Sequence, residues 1–116
     1  MGVANNGVYL GWLEVARIEY LRSLGHSYRD VHNQGFDLVV AEAGVRYLIP
    51  LQFDDEFEIE CACSEVGRAT VTFTYEVRSD RGVHATATTR HACVSRETLR
   101  PTRIPQWLVD AVSGSS

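Results

Sequence analysis

At 116 residues, 45% of them hydrophobic, the chain can build one core, and it reads as a single domain over 1–116. A formal net charge of −4 argues against a nucleic-acid surface, and no apolar run reaches the roughly 18 residues of a membrane span. All eleven basic residues are arginine, which excludes lysine Schiff-base chemistry and leaves the arginine fork as the group able to grip a phosphate.

The chain opens on a polar, amide-rich turn, Asn5-Asn6-Gly7, that feeds an apolar helix within a few residues. The first turn of a helix presents backbone N–H groups without intrahelical partners at the positive end of the dipole. Asn5 or Asn6 suits the cap, and Gly7 lets a ligand approach the backbone, so this turn is either a plain cap or a site for a carbonyl or an anion. Tyr9, Leu10, Trp12, Leu13, Ala16, Tyr20, Leu21 and Leu24 fill one arc, and Val8, Val15 and Ile18 lie on the other side. The helix is therefore expected to pack on more than one face and to end at Gly25. A turn-rich stretch from Ser27 to Gly35 follows.

Beyond Gly35 the chain reads as strand. Phe36 to Ile49 forms a long strand closed by Pro50; Glu56 to Glu65 and Ala69 to Ser79 alternate apolar with polar; Asp80-Arg81-Gly82 is a hairpin turn; Val83 to Ser95 returns. Prolines extend Arg100 to Pro105, and Gln106 to Val112 suits a short helix. The fold class is α+β, one long helix followed by four antiparallel strands. Cys61 and Cys63 share one strand face and suit core packing. Three cysteines, an odd number, and no basic-then-apolar leader suggest reduced thiols in a cytoplasmic protein. His84 and His91, seven apart, are expected on opposite strand faces, and no spacing indicates a metal site or any cofactor.

Gly2-x-x-Asn5-Asn6-x-x-Tyr9 with Trp12-Leu13-Glu14-x-Ala16-Arg17-x-Glu19-Tyr20-Leu21, then Tyr47-Leu48-Ile49-Pro50-Leu51, then Arg100-Pro101-x-Arg103-Ile104-Pro105, resembles the hotdog-fold acyl-CoA thioesterases of the 4-hydroxybenzoyl-CoA type. The likeness runs from Gly2 to about Val112. It implies a helix wrapped by a curved antiparallel sheet and a homodimer, or a tetramer, joined edge to edge through the Phe36 to Ile49 strand. The substrate would be an acyl-CoA or acyl-carrier-protein thioester lying between two chains. Its carbonyl would meet the helix start at Asn6 or Gly7, the position the residues had already marked. Asn5 would join the substrate site, and Tyr9, Trp12, Tyr47, Leu48 and Phe53 either line an apolar acyl pocket or belong to the ordinary core. Of Arg68, Arg90, Arg96, Arg100 and Arg103, one or two, Arg68 or Arg90 first, either meet a nucleotide phosphate or are simply solvated.

The sequence also departs from that pattern. The family aspartate stands three residues before the motif glycine, here Gly2, so its position would precede Met1, and so would the usual first strand; Val3 replaces a frequent histidine. Three explanations follow: a natural start upstream of Met1, a thioester-binding protein that does not hydrolyse, or an enzyme using Glu14 as substitute base. Glu14 also suits an i,i+3 ion pair with Arg17. The expectation is impaired thioesterase activity in this form, because general-base help worth about 10²–10⁴-fold is missing. Hotdog dehydratases need a histidine on the helix, and none lies between Asn5 and Leu24.

Overall fold

The computed structural model describes residues 6–25, 33–52 and 54–113, so the expectations for Asn5, Phe53 and the 26–32 segment fall outside it. The apolar opening segment forms helix α1, Asn6–Ser23. It stops as the glycine predicts. Gly25 adopts φ 93°, a conformation that costs a residue without Cβ little, and its N–H donates to the Arg22 carbonyl at 2.9 Å.

Four antiparallel strands follow: β1 (Phe36–Tyr47), β2 (Glu58–Val66), β3 (Thr70–Ser79) and β4 (Gly82–Ser95). Their order in the sheet is β1-β4-β3-β2, which leaves β1 at one edge and β2 at the other. The β3–β4 hairpin turns at Gly82, with φ 118°. After β4 the chain doubles back along it: Val94 bridges to Pro101, and the Thr102 N–H donates to the Cys93 carbonyl at 2.8 Å. The Ile104 N–H then reaches the Arg68 carbonyl at 2.8 Å, and helix α2 (Gln106–Ser113) closes one end of the core.

The alternation seen in the sequence becomes the inner face of the sheet. Val71, Phe73 and Tyr75 of β3, with Ala87 and Cys93 of β4, are buried against Leu13 and Leu21 of α1 and Leu108 of α2. A second cluster, Tyr9, Leu51, Val77 and Ala85, packs the end where α1 begins. Cys61 and Cys63 are free thiols on the half-buried side of β2, and burial pushes the Cys61 thiol up to about 12.

Two expectations need correction. Within one chain α1 packs on one face only, because the sheet covers a single side of it: Val15 is 60% exposed and Leu10 39%. His84 and His91, expected on opposite strand faces, are both fully buried, His84 at an irregular point of β4. The physical reason is a bulge. Val77 pairs with Ala85 and Arg78 with Val83, so His84 is the extra residue and the count of two is interrupted there.

Candidate active site

The helix start is framed by aromatic rings. Tyr47, the last residue of edge strand β1, meets Tyr9 at 5.1 Å between ring centroids; Tyr9 meets Trp12 at 5.3 Å; Trp12 meets Phe57, just before β2, at 4.6 Å. The row thus crosses the first turns of α1 from one edge of the sheet to the other. Tyr9 is buried at its centre, and its hydroxyl pKa is raised by that burial and by Tyr47. Tyr47 stays about half exposed.

Asn6 and Gly7 are the first two residues of α1, so their backbone N–H groups belong to the turn that lacks intrahelical acceptors. The structure brings this turn together with Tyr9, Trp12 and Tyr47. From Trp12 an apolar groove of about 520 Å³ runs between α1 and β2 past Ala16, Tyr20, Phe57 and Cys61, a volume suited to a small ligand.

The loop that carries Leu48 to Phe57 past the helix start is held by polar contacts that sequence reading missed. Arg81 grips both oxygens of Asp55, at 3.1 and 2.5 Å, and donates to the Pro50 carbonyl at 3.0 Å. These bonds, with the Gln52 N–H on Asp55 at 2.7 Å, hold the Asp55 carboxyl below its usual range. Buried His84 completes the brace: Nδ1 lies 2.9 Å from the Ile49 carbonyl and Nε2 2.6 Å from Ser79 Oγ. A carbonyl only accepts, so the Nδ1 proton points to Ile49 and Nε2 accepts from Ser79. A bulged histidine cannot be recognised from residue spacing, which is why this contact was not foreseen. Phe57 was legible only as one member of an alternating strand.

Other expected site residues lie elsewhere. Glu14 is exposed on α1, and no Glu14–Arg17 ion pair is found among the described residues. Arg17 is half-buried, and its positive charge acts on Tyr75, Cys61 and His91. Arg68 is exposed in the β2–β3 turn, at the opposite end of β2 from Phe57. Arg90 is exposed on β4 and donates to Glu42 at 2.9 Å. Neither arginine is near the helix start within one chain.

The chain is similar to known proteins over most of its length. Residues 1–112 match the thioesterase-like superfamily. The chain is 30% identical over 106 residues to the acyl-CoA thioesterase YbgC of Haemophilus influenzae, covering 90% of this chain and 78% of that one. It is 32% identical over 72 residues, 62% of this chain and 38% of the other, to the chloroplastic acyl-acyl carrier protein thioesterase ATL3 of Arabidopsis thaliana. The crystal structure of the DHNA-CoA thioesterase from Staphylococcus aureus superposes with a TM-score of 0.87 at 28% identity, covering 99% of this chain and 80% of that one. A four-stranded antiparallel sheet, a long helix packed on its inner face and a match over nearly the whole sequence together place this chain in the thioesterase-like superfamily, with the hotdog fold.

Proposed function

We propose that the chain hydrolyses an acyl thioester of coenzyme A or of a carrier protein, with the thioester carbonyl held at the first turn of α1. The observation that carries this reading is the aromatic row: it frames the first turn of α1, to which the N–H groups of Asn6 and Gly7 belong, and opens into an apolar groove beside it. In the transition state the carbonyl oxygen takes on negative charge. Fixed N–H donors at the positive end of a helix stabilise that charge without having to reorganise. The acyl group lies against Tyr9, Trp12 and Tyr47 and continues along the groove.

A second copy completes the site in this reading. Val39, Val40, Tyr47 and Leu48 are exposed along the β1 edge, with Leu10 of the helix start also exposed nearby in sequence to the row. A sheet edge carrying apolar side chains and open backbone groups favours pairing with another strand. Antiparallel pairing about a two-fold axis would set the Phe36 end of the second β1 beside the Tyr47 end of the first. The Arg100 carbonyl accepts from the Ser95 N–H at 2.9 Å, and Ser95 is paired with Phe36, so the second copy's Arg100 approaches the helix start by the same symmetry. Arg68, Arg100 and Arg103 form no ion pair among the described residues, whereas Arg90 is engaged by Glu42. The first three, rather than Arg90, are the candidates to meet a phosphate.

The rival is a protein that binds acyl thioesters without cleaving them; the exposed position of Glu14, outside the lining of the groove, favours it. Thiol release measured across acyl-CoAs and acyl-carrier proteins, alongside calorimetric binding, separates the two. Hydrolysis requires saturable thiol release. Tight binding with no release would establish the rival, and neither binding nor release would contradict both.

A further inference from the structure

The brace on the loop beside the helix start holds a hydroxyl, a base and a group that orients the base, and thioester cleavage at α1 uses none of them. Ser79 ends β3, and His84 stands near the start of β4, across the hairpin turn. The Ser79 Oγ is 2.6 Å from His84 Nε2, and His84 Nδ1 is 2.9 Å from the Ile49 carbonyl. Because that carbonyl only accepts, Nδ1 carries the proton and Nε2 turns its lone pair to the Ser79 hydroxyl. A serine becomes a nucleophile in this arrangement: hydroxyl and imidazole within about 2.6–3.2 Å, and the imidazole held by a third group. The Arg81 backbone N–H, 3.1 Å from Ser79 Oγ, holds the hydroxyl as well.

Exposure and charge say what reaches this pair. His84 is fully buried, whereas Ser79 is half-buried and lines a cavity of about 750 Å³ between the 54–58 segment and the end of β3. Four carboxylates of the lining, Asp54, Glu56, Glu58 and Asp80, form no ion pair among the described residues, while Asp55 is taken up by Arg81. Arg78 also faces the cavity and pairs with Glu60 and Glu76. A concave surface with this excess of negative charge draws in cations.

We propose that Ser79 and His84 form a second catalytic pair, outside the thioester groove, that cleaves an oxygen ester carrying an ammonium group. Ser79 Oγ bonds to the ester carbonyl carbon as its proton passes to His84 Nε2, and the charge that develops on the carbonyl oxygen is met by Arg78. The bond from that carbon to the alcohol oxygen then breaks, and the alcohol leaves with the proton from Nε2. Water adds to the acyl-serine, giving a proton to Nε2; the bond to Ser79 Oγ breaks, Oγ recovers that proton, and the carboxylic acid departs. Nδ1 keeps its proton throughout, bonded to Ile49, and the free carboxylates hold the ammonium group.

Diisopropyl fluorophosphate tests the pair, with adducts located by peptide mass spectrometry of the purified protein at neutral pH. The expected result is one phosphoryl group on Ser79, formed at least tenfold faster than in the urea-unfolded chain; no adduct there, or equal rates, overturns the proposal. His84→Asn keeps an N–H for the Ile49 carbonyl and has no counterpart to Nε2. It should slow labelling by about 10²-fold or more, and labelling at the parent rate contradicts the role of His84. Should His84→Asn fail to fold, the comparison of folded with unfolded parent decides. The substrate class is read from acetate release by acetylcholine and by its uncharged isostere, 3,3-dimethylbutyl acetate. Acetylcholine should have at least tenfold the kcat/KM of the isostere, and Asp54→Asn with Asp80→Asn should abolish that preference. Equal kcat/KM values in the parent, or an unchanged preference in the double variant, overturn the class. Neither readout involves acyl-CoA, so a chain unable to cleave thioesters would contradict the functional proposal and leave this test unaffected.

Discussion

His91 turns burial into a pH dependence. An unfolded imidazole takes up its proton near pH 6.5, whereas burial and the positive charge of Arg17 push His91 down to about 4. Between those values the unfolded chain binds more protons than the folded one, so stability rises with pH across that window. The contribution is complete above about pH 6.5 and is lost as the pH falls toward 4, on the order of 3 kcal/mol. Urea unfolding at pH 7.5 and 4.5 checks this: His91→Gln should flatten the difference between the two pH values, and an unchanged slope would show that His91 is not the group responsible. Cys61, with its thiol pushed up to about 12, should alkylate far more slowly at pH 8 than a free thiol, as mass spectrometry of iodoacetamide-treated protein would reveal. The histidines also show where residue-level reading stopped. Counting by twos along β4 works until the chain inserts one extra residue, and nothing in Val83-His84-Ala85 marks the bulge that buries His84.

At the scale of elements, the helix was legible because two local rules agreed: an apolar segment behind an amide-rich turn, and a glycine to stop it. Its packing was not, because hydrophobicity shows that a surface wants covering without showing what covers it. Val15 and Leu10 remain exposed in the single chain. The strands were legible from alternation and from the Gly82 turn, with β2 starting at Glu58 rather than Glu56 and β1 ending at Tyr47 rather than Ile49. Edge strand β1 is where pairing with a second copy can be broken. Val40 is 56% exposed on it, and Val40→Lys places a charge on an edge that the proposal needs to pair. Sedimentation velocity should show a dimer for the parent and a monomer for the variant, with folding intact in both. A monomeric parent would remove the second copy from the proposal. A truncation inside the core behaves differently: Leu13→Ala should cost about 2–5 kcal/mol, read as a lower urea midpoint.

At the scale of the whole molecule, the site is an assembly of distant segments. Tyr9 and Trp12 come from the helix, Tyr47 from one edge and Phe57 from the approach to the other, and the loop between them is held by Arg81 on Asp55 and by His84 on Ile49. The helix start could be marked from sequence because its donors are local. Phe57 and the groove could not, because they exist only once β2 lies beside α1. The groove makes its own prediction: Ala16→Phe narrows it midway, so long-chain acyl-CoAs should lose rate at least tenfold while short-chain ones stay within about twofold. Equal losses at every length would place the acyl group elsewhere.

The claim at the centre is that backbone N–H groups of the first helical turn polarise the thioester carbonyl, and Gly7→Pro tests it most directly. Proline is accepted in the first turn of a helix, yet it deletes one N–H. Measured by thiol release, Gly7→Pro should lower kcat by about 10²–10³-fold, while Gly7→Ala, which keeps the N–H, stays within about threefold of the parent. Turnover by Gly7→Pro equal to that of Gly7→Ala would contradict the account.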